Sequence, residues 1–406
     1  MVSLMLPESM STLALSVGCS KYPQRWDDLY PTLRQEFMAH GTPYTDPDYY
    51  TDLHNKYGIL TEVLPLYQKA AVAVREDPEL SLFLHILCRT LEDQNFHKSD
   101  MAAFSRPKQK DSLGCDMLCG LAAASEAPMC HKALTERGLP ENIVKQVLRM
   151  PEFGVKFYQM RHNGAPGYNL LDWFQLAIDG HLFRLGRLEF EIFTEFRGRC
   201  CVFENDTGEQ IALAHDIHLH HSGNALGSAG YEDTGGAFTA MIREDPDHYS
   251  GHPVREDGTV EQRSIVLPKE TWRKRLSFGD PVVSLHIPAG GGLTDEAVTQ
   301  SLEEGKAFLQ QYFPDYSYKG FVCYSWLMDP QLENLVGADS NIAKFNRRFR
   351  KMTRKSQGDG VFSFIFLQSG NDFDLSMLPE TTTLERKLKE HYLSGKYIYE
   401  LTGYFF

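Results

Sequence analysis

A predicted strand, a run of three glycines and a predicted helix follow one another between residues 281 and 313. The segment Pro281-Val-Val-Ser-Leu-His-Ile287 is short, apolar and β-branched, which is typical of a buried strand. Pro288-Ala-Gly-Gly-Gly-Leu293 interrupts it, and Thr294 then offers an N-cap to a helix with apolar residues at helical spacing. The pattern therefore predicts a strand-to-helix turn in a sheet that is flanked by helices.

Glycines at such a turn let backbone N–H groups approach a ligand beside the partly positive end of a helix. This favours a phosphate-bearing ligand, and a pyrophosphate carrier such as coenzyme A is the first to consider. The spacing fits neither the P-loop nor the Gly-x-Gly-x-x-Gly fingerprint, and Asp295 and Glu296 would oppose an anion here. A flexible, glycine-rich turn is the alternative interpretation. The residues that we expect to contact the ligand are Ala289, Gly290, Gly291, Gly292, Leu293 and Thr294.

The whole chain has the composition of an ordinary soluble protein. Its 406 residues allow two or three domains, and its net charge of −13 argues against binding nucleic acid or an anionic membrane. No stretch approaches the ~20 apolar residues of a membrane span, and no secretory signal is visible. The eight cysteines lack zinc-site spacing and indicate reduced thiols. We therefore expect a cytoplasmic protein with no nucleic acid or membrane partner.

The periodicity changes along the chain and indicates two domains. Residues 1–163 have helical periodicity, and the Gly/Pro-rich segment Asn163–Gly167 marks the boundary. Residues 164–406 begin with a helix, continue as an antiparallel meander and end with alternating strands and helices. The predicted fold class is α+β / α/β, with a helical N-terminal domain followed by a mixed sheet flanked by helices.

The carboxyl ends of two predicted strands carry the candidate catalytic residues. His286 ends the strand before the glycines, where ligands bind in open α/β sheets, and it could act as a general base. If Gly320–Leu327 is the neighbouring strand, Ser325 or Tyr324 could protonate a thiolate leaving group. Trp326 could form a wall for the acyl chain or the acceptor. A structural role, with His286 bonded to a backbone group and the aromatic rings in the core, is the alternative for each.

A basic segment, Lys344–Lys355, holds seven cations and no acid. Its apolar residues have helical spacing, so we predict a helix over Ile342–Met352 whose cations, including Lys344, could contact the ligand's phosphates. A solvated charged face is the alternative.

A histidine-rich segment, His215–His221, raises the possibility of a metal site. Asp216, His218 and His220 would share one face if this segment is a strand. No second cluster completes the site. We therefore predict no bound metal, with a three-ligand site for zinc or iron as the minority alternative.

Four segments together carry a resemblance to a known family: His218–Ala229, Ser284–Leu293, Ser325–Leu332 and Ser340–Phe345. They resemble a family of bacterial acyltransferase-domain proteins, described as a helical N-acyltransferase N-terminal domain followed by a GNAT-like C-terminal domain. The resemblance implies a mixed sheet whose central strands separate to admit acyl-CoA, with residues 289–294 as the pyrophosphate loop. The loop pattern Gln/Arg-x-x-Gly-x-Gly/Ala, which is usual in such proteins, is replaced here by Pro-Ala-Gly-Gly-Gly-Leu.

These observations lead to an expected function. We expect an acyl-CoA-dependent N-acyltransferase that moves an acyl group, in the first instance acetyl, from acetyl-CoA or another acyl-CoA to an amine of a small molecule or peptide. A non-catalytic sensor of acyl-CoA or a nucleotide with the same fold is the alternative, and a metal-dependent hydrolase is a third possibility. The sequence leaves the acceptor, the acyl length and the oligomeric state open.

Overall fold

The computed structural model describes residues 6–93, 104–288, 290–368 and 373–406. The chain divides into two compact units, Met1–Arg184 and Leu185–Phe406. The boundary that we predicted between residues 163 and 164 precedes this division and stays a prediction.

The first unit is helical. Its helices begin at residues that stabilise a helix start: Asp46 and Asp77 each accept hydrogen bonds from first-turn N–H groups, and each precedes a proline at the first helical position. The described helices are α1 Met10–Val17, α2 Arg25–His40, α3 Pro47–Tyr57, α4 Leu64–Arg75, α5 Pro78–Leu91, α6 Ser112–Ser125, α7 Ala127–Glu136, α8 Glu141–Leu148, α9 Met150–Arg161 and α10 Leu171–Ile178.

The second unit contains two larger sheets and a short two-stranded one. Its described strands, of which β1 begins in the last residues of the first unit, are β1 Leu182–Leu185, β2 Leu188–Glu195, β3 Cys200–Asn205, β4 Gln210–Ala214, β5 Ile217–Leu219, β6 Phe238–Ala240, β7 Arg243–Glu244, β8 His248–Pro253, β9 Ile265–Pro268, β10 Trp272–Leu276, β11 Pro281–His286, β12 Phe321–Ser325, β13 Arg350–Met352 and β14 Leu401–Phe405. Its helices are α11 Asp295–Tyr312, α12 Gln331–Val336, α13 Asn341–Arg347, α14 Gly360–Phe364 and α15 Thr383–Leu393.

The central sheet has the strand order β1-β2-β11-β12-β14-β13. Strands β11 and β12 are parallel, while β2 and β14 run antiparallel to them on either side. The second sheet, β10-β3-β4-β8-β7 with β9 beside β8, packs on one face of the central sheet, where Val282, Val322 and Tyr404 join its apolar side chains. The predicted fold class, a helical region followed by a mixed sheet flanked by helices, is confirmed.

Helix α11 lies against the opposite face of the central sheet. It comes very close at Gly305, where a Cβ would lie only 2.2 Å from Cε1 of Phe190 on β2. Glycine is required there because any side chain would displace that aromatic ring. This close contact fixes α11, and with it the loop before α11, against the central strands.

Some predicted elements were wrong. The helix over Ile342–Met352 ends at Arg347, and Arg350–Met352 forms strand β13 instead. The residues around Trp272 predict a short helix, but Trp272 begins strand β10. The β-branched and aromatic residues of 361–367 predict a strand, but Gly360–Phe364 forms helix α14. In each case pairing or packing within the fold overrides the local preference of the residues.

Candidate active site

The central strands β11 and β12 pair only over a short length. Val283 lies opposite Phe321 and Ser284 lies opposite Val322, and no further β11–β12 pair follows in this described part of the sheet. Each strand nevertheless stays paired with its outer neighbour to its carboxyl end, His286 with Glu189 on one side and Ser325 with Leu401 on the other. The two strands therefore separate in the middle of the sheet, and their carboxyl ends flank a gap.

His286 stands at the carboxyl end of β11, beside this gap, with a carboxylate partner. Its Nε2 lies 2.8 Å from Oε2 of Glu191 on β2. Both side chains are partly exposed, with 29% and 19% of their surface accessible, so a ligand can reach them. An ionised carboxylate only accepts hydrogen bonds, so Nε2 carries the hydrogen and Nδ1 is the nitrogen that can take a proton.

A β-bulge in β2 aims Glu191 at His286. Thr194 lies opposite Val282 and Glu191 opposite Ser284, so that Ile192 and Phe193 together face Val283. Phe193 has a φ of 57°, which is rare for a residue with a side chain and marks a local backbone constraint. Because of the bulge, Glu191 lies on the same face of the sheet as Ser284 and His286.

The glycine loop adopts the conformation that its sequence predicts. Gly290 and Gly291 have φ angles of 82° and 72°, which only glycine adopts without strain. Thr294 caps α11 by accepting a hydrogen bond from Ala297 N. Within the described residues, the N–H groups of Gly291, Gly292 and Leu293 have no acceptor in the protein. Ala289, which we also expected to contact the ligand, lies outside the described residues.

An arginine from another part of the chain contacts this loop. Arg187, in the turn between β1 and β2, donates to the carbonyl oxygens of Pro288 at 3.0 Å, Gly292 at 3.0 Å and Gly291 at 3.3 Å. The loop carbonyl groups are therefore gathered on the side that faces the arginine.

A second arginine offsets the acidic start of α11. Arg348 donates hydrogen bonds to the carboxylate of Asp295 and to Oγ1 of Thr299 at 2.6 Å. The pair neutralises one of the two acids that we expected to oppose an anion at this helix end. Lys344 is exposed on α13, which packs on α11, and its predicted phosphate contact stays a prediction.

Tyr324 and Ser325 lie on opposite faces of β12. Tyr324 packs with Val322 and Tyr404 on the face toward the second sheet, and its hydroxyl accepts a hydrogen bond from Arg197 N at 2.8 Å. Burial raises the pKa of Tyr324. Ser325 Oγ accepts from Leu327 N at 3.1 Å and leaves its own proton available for donation. The hydroxyl groups of Tyr324 and Ser325 therefore lie on opposite faces of the sheet at this end of β12.

Three other residues at this end of β12 are buried. Trp326 begins the turn Trp326–Met328 and is 6% exposed. Asp329 accepts hydrogen bonds from Gln331 N and Tyr399 N, and burial raises the pKa of its carboxyl to about 6. Cys323 is also buried, and the pKa of its thiol is raised to about 12, so it is a poor nucleophile at neutral pH.

The histidine-rich segment forms no single strand. Asp216, with a φ of 51°, separates β4 from β5, so the shared face that we expected does not exist. Asp216 pairs with Arg199, His218 bonds Thr239 and His220 bonds Ser222. In the part of the chain that the structure describes, no three His, Cys, Asp or Glu side chains are grouped as metal ligands.

Sequence reasoning missed Glu191 and Arg187, and it included Arg348 only as one cation of the basic segment Lys344–Lys355. Each lies far along the chain from the residue that it contacts, and only the sheet register or helix packing brings them together. For Glu191 one signal was visible: Glu189 and Glu191 alternate with apolar residues on a strand of the same sheet. For Arg187 we find no sequence signal.

Solved structures of acyltransferases share this fold. One, an acyltransferase in complex with decanoyl-CoA and teicoplanin, is 19% identical, has a TM-score of 0.64, and aligns over 97% of this chain and 98% of that one. Another, in complex with decanoyl-CoA, is 20% identical with a TM-score of 0.59 over 88% of each chain. At these identities the likeness shows the fold alone.

The chain belongs to the family described as GNAT-like C-terminal domain, which matches residues 182–405, more than half of its length. The resemblance found in the sequence is thereby confirmed. No curated protein sequence matches the chain. No described helix is both long and apolar enough to cross a membrane.

Proposed function

We propose that this protein is an acyl-CoA-dependent N-acyltransferase that transfers the acyl group directly to an amine. The observation that carries the proposal is the separation of β11 and β12 beyond Ser284 and Val322, with a His–carboxylate pair and a loop of unpaired amides at the same edge. The gap offers a place for the thioester, the loop a place for the diphosphate, and the histidine a base.

The loop and α11 have the properties of a diphosphate site. The N–H groups of Gly291, Gly292 and Leu293, which have no acceptor among the described residues, precede the amino end of an 18-residue helix, whose dipole favours an anion. Because Arg348 pairs with Asp295, the repulsion that this acid would exert on a phosphate is reduced.

His286 is suited to deprotonate the acceptor. An amine must lose a proton to attack a thioester carbonyl, and Nδ1 of His286 can accept it while Nε2 remains bonded to Glu191. The carboxylate fixes the ring orientation and stabilises the protonated ring. The nitrogen then bonds to the acyl carbon as the carbon–sulfur bond breaks.

The departing thiolate needs a proton, and Ser325 is our candidate donor. The proton that His286 has taken from the amine then returns to the Ser325 oxygen through solvent, so that both residues regain their starting protonation. The hydroxyl of Ser325 stands at the last residue of β12, beside the gap, with its proton uncommitted in the hydrogen bond to Leu327 N. Tyr324 is the second candidate, although its hydroxyl is directed to Arg197 N. The buried, protonated thiol of Cys323 argues against an acyl-enzyme at that residue, which supports transfer within a ternary complex.

The comparisons widen the choice of donor and acceptor. The structural neighbours were solved with decanoyl-CoA, octanoyl-CoA or CoA, and two of these complexes include teicoplanin or an acylated teicoplanin. The donor panel should therefore extend from acetyl-CoA, which we expected, to decanoyl-CoA. The acceptor panel should include small amines, peptides and teicoplanin.

The test combines binding and turnover. We expect calorimetry to show saturable CoA binding to the wild type, and Gly291→Glu to abolish it because the new carboxylate occupies the proposed diphosphate site. A free-thiol assay with the donor and acceptor panels should show thiol release that depends on the amine. Equal CoA affinity in both proteins would contradict the loop assignment, whereas binding without thiol release for any amine would indicate the sensor.

A further inference from the structure

One guanidinium group holds the carbonyl groups of the glycine loop. Nη1 of Arg187 donates to Pro288 O, Nη2 to Gly291 O and Nε to Gly292 O. Arginine is suited to this role because its planar group presents several N–H donors in a fixed arrangement.

The orientation of the loop amides follows from these contacts. Every peptide bond among the described residues is trans, and in a trans peptide the C=O and the following N–H point in opposite directions. The hydrogen bonds from Arg187 to Gly291 O and Gly292 O therefore turn the N–H groups of Gly292 and Leu293 away from the arginine. These are amides that we assign to the diphosphate.

Arg187 is itself held in place. The buried hydroxyl of Ser301 on α11 donates to Leu185 O and accepts from Leu188 N at 3.0 Å, which fixes both sides of the turn that carries Arg187. Gly186, with a φ of 63°, brings this turn against α11, where its Cβ would lie 3.3 Å from Cβ of Ser301. The β1–β2 turn therefore contacts α11 through Ser301 and the glycine loop through Arg187, and these contacts keep Arg187 beside the loop.

We propose that Arg187 is the positioning residue of the diphosphate loop, which it shapes from the β1–β2 turn without touching the reacting atoms. Polar loop residues of the usual pattern are missing here, and Arg187 supplies the constraint from outside the loop. This inference rests on the proposed function, since it assumes that the loop binds the diphosphate of acyl-CoA.

The experiment compares two donors that differ in the diphosphate. One is the acyl-CoA that the wild type uses, and the other is the same acyl group on pantetheine, which lacks the nucleotide and the diphosphate. For Arg187→Met we expect KM for acyl-CoA to rise by at least about tenfold, with kcat and the kinetics of acyl-pantetheine close to those of the wild type. Arg187→Lys keeps the positive charge but loses the planar arrangement of donors. Its KM for acyl-CoA should therefore lie between the values of the wild type and Arg187→Met.

Lys319→Met is the matched control, because Lys319 pairs with Asp280 beside the other end of β11, with Nζ 3.0 Å from Oδ1. It removes one positive charge and should leave KM for acyl-CoA unchanged. The inference would be overturned if Arg187→Met left KM for acyl-CoA unchanged, or if it raised KM equally for acyl-CoA and acyl-pantetheine. Should Arg187→Met not fold, Arg187→Lys decides: an acyl-CoA KM equal to that of the wild type refutes the proposal. A wild type that uses neither donor would instead contradict the proposed function.

Discussion

The amino-terminal and carboxyl-terminal halves of the central pair, β11 and β12, differ in the contacts that stabilise them. In the amino-terminal half, β11 and β12 are hydrogen-bonded to each other, and Val282, Val283 and Val322 are buried. In the carboxyl-terminal half the two strands separate, and the last residue of each, His286 in β11 and Ser325 in β12, is polar and partly exposed.

Within each of these strands, one half therefore serves the stability of the fold and the other half serves the proposed chemistry. The paired half derives its stability from apolar burial and backbone hydrogen bonds, whereas the open half keeps polar groups accessible and leaves room for a ligand. Changes in the open half should therefore alter turnover, and changes in the paired half should alter unfolding.

The largest effect is expected in the open half, at His286. His286→Gln should lower kcat by about 10²–10⁴-fold because the proposed base is lost, while calorimetric affinity for acyl-CoA stays near that of the wild type. Glu191→Gln keeps the base but loses the carboxylate, so its loss should be smaller, on the order of 10²-fold. Steady-state thiol release measures both.

A second His–carboxylate pair supplies the control for this prediction. His248 on β8 contacts Asp247 with Nδ1 2.7 Å from Oδ1, away from the separated strands. His248→Gln should leave kcat near that of the wild type. A His286→Gln enzyme as active as the His248→Gln enzyme would remove His286 from the mechanism.

The next effect concerns Asp329, which ties the open end of β12 to the segment before β14. Burial raises its pKa from 3.8 to about 6, so the folded protein keeps this proton to higher pH than the unfolded chain does. Its contribution is fully present below about pH 4 and is lost as the pH rises through about 6. The loss amounts to about 1–3 kcal/mol.

Urea unfolding at several pH values measures this effect. The free energy of unfolding of the wild type, minus that of Asp329→Asn, should fall between pH 4 and pH 6. Asp206→Asn, in an exposed turn, controls for the loss of one negative charge. A difference that stays flat or rises across this interval would contradict the assignment.

A similar or smaller effect is expected from the packing of α11 on the sheet. In Gly305→Ala the new Cβ would meet the ring of Phe190, so we expect a loss of about 1–3 kcal/mol in the free energy of unfolding. Gly235→Ala, where the nearest atoms to a Cβ are 3.4 Å away, serves as the control. Equal urea midpoints for the two variants would show that the packing beneath α11 adapts without cost.

Much of the fold could be predicted because its signals are local. The strand before the glycines, the cap at Thr294 and the helix after it are encoded within about thirty consecutive residues, and this unit also gave the position of His286. The histidine's partner could not be found in this way. Glu191 reaches His286 through strand pairing and a bulge, and one residue of register decides which face it occupies.

The basic segment shows why helical spacing can mislead. Ile342, Phe345, Phe349 and Met352 fit one helical face, yet the helix ends at Arg347. Residues 350–352 instead pair with 402–404 at the edge of the central sheet. Strand β14 at the sheet edge offers backbone hydrogen bonds to residues 350–352. The spacing of apolar residues carries no information about such a partner, so it could not predict that these residues form a strand.

The extra residue in β2 sets the phase of this strand relative to β11. With Ile192 and Phe193 both facing Val283, the inward and outward alternation of β2 advances by one step between Thr194 and Glu191. If the same residues paired regularly from Thr194 onward, without the bulge, Glu191 would lie opposite Leu285 instead of Ser284, turn toward α11 and leave His286 without its carboxylate. In this protein the register of one strand, as much as the identity of any side chain, therefore determines the acid–base pair.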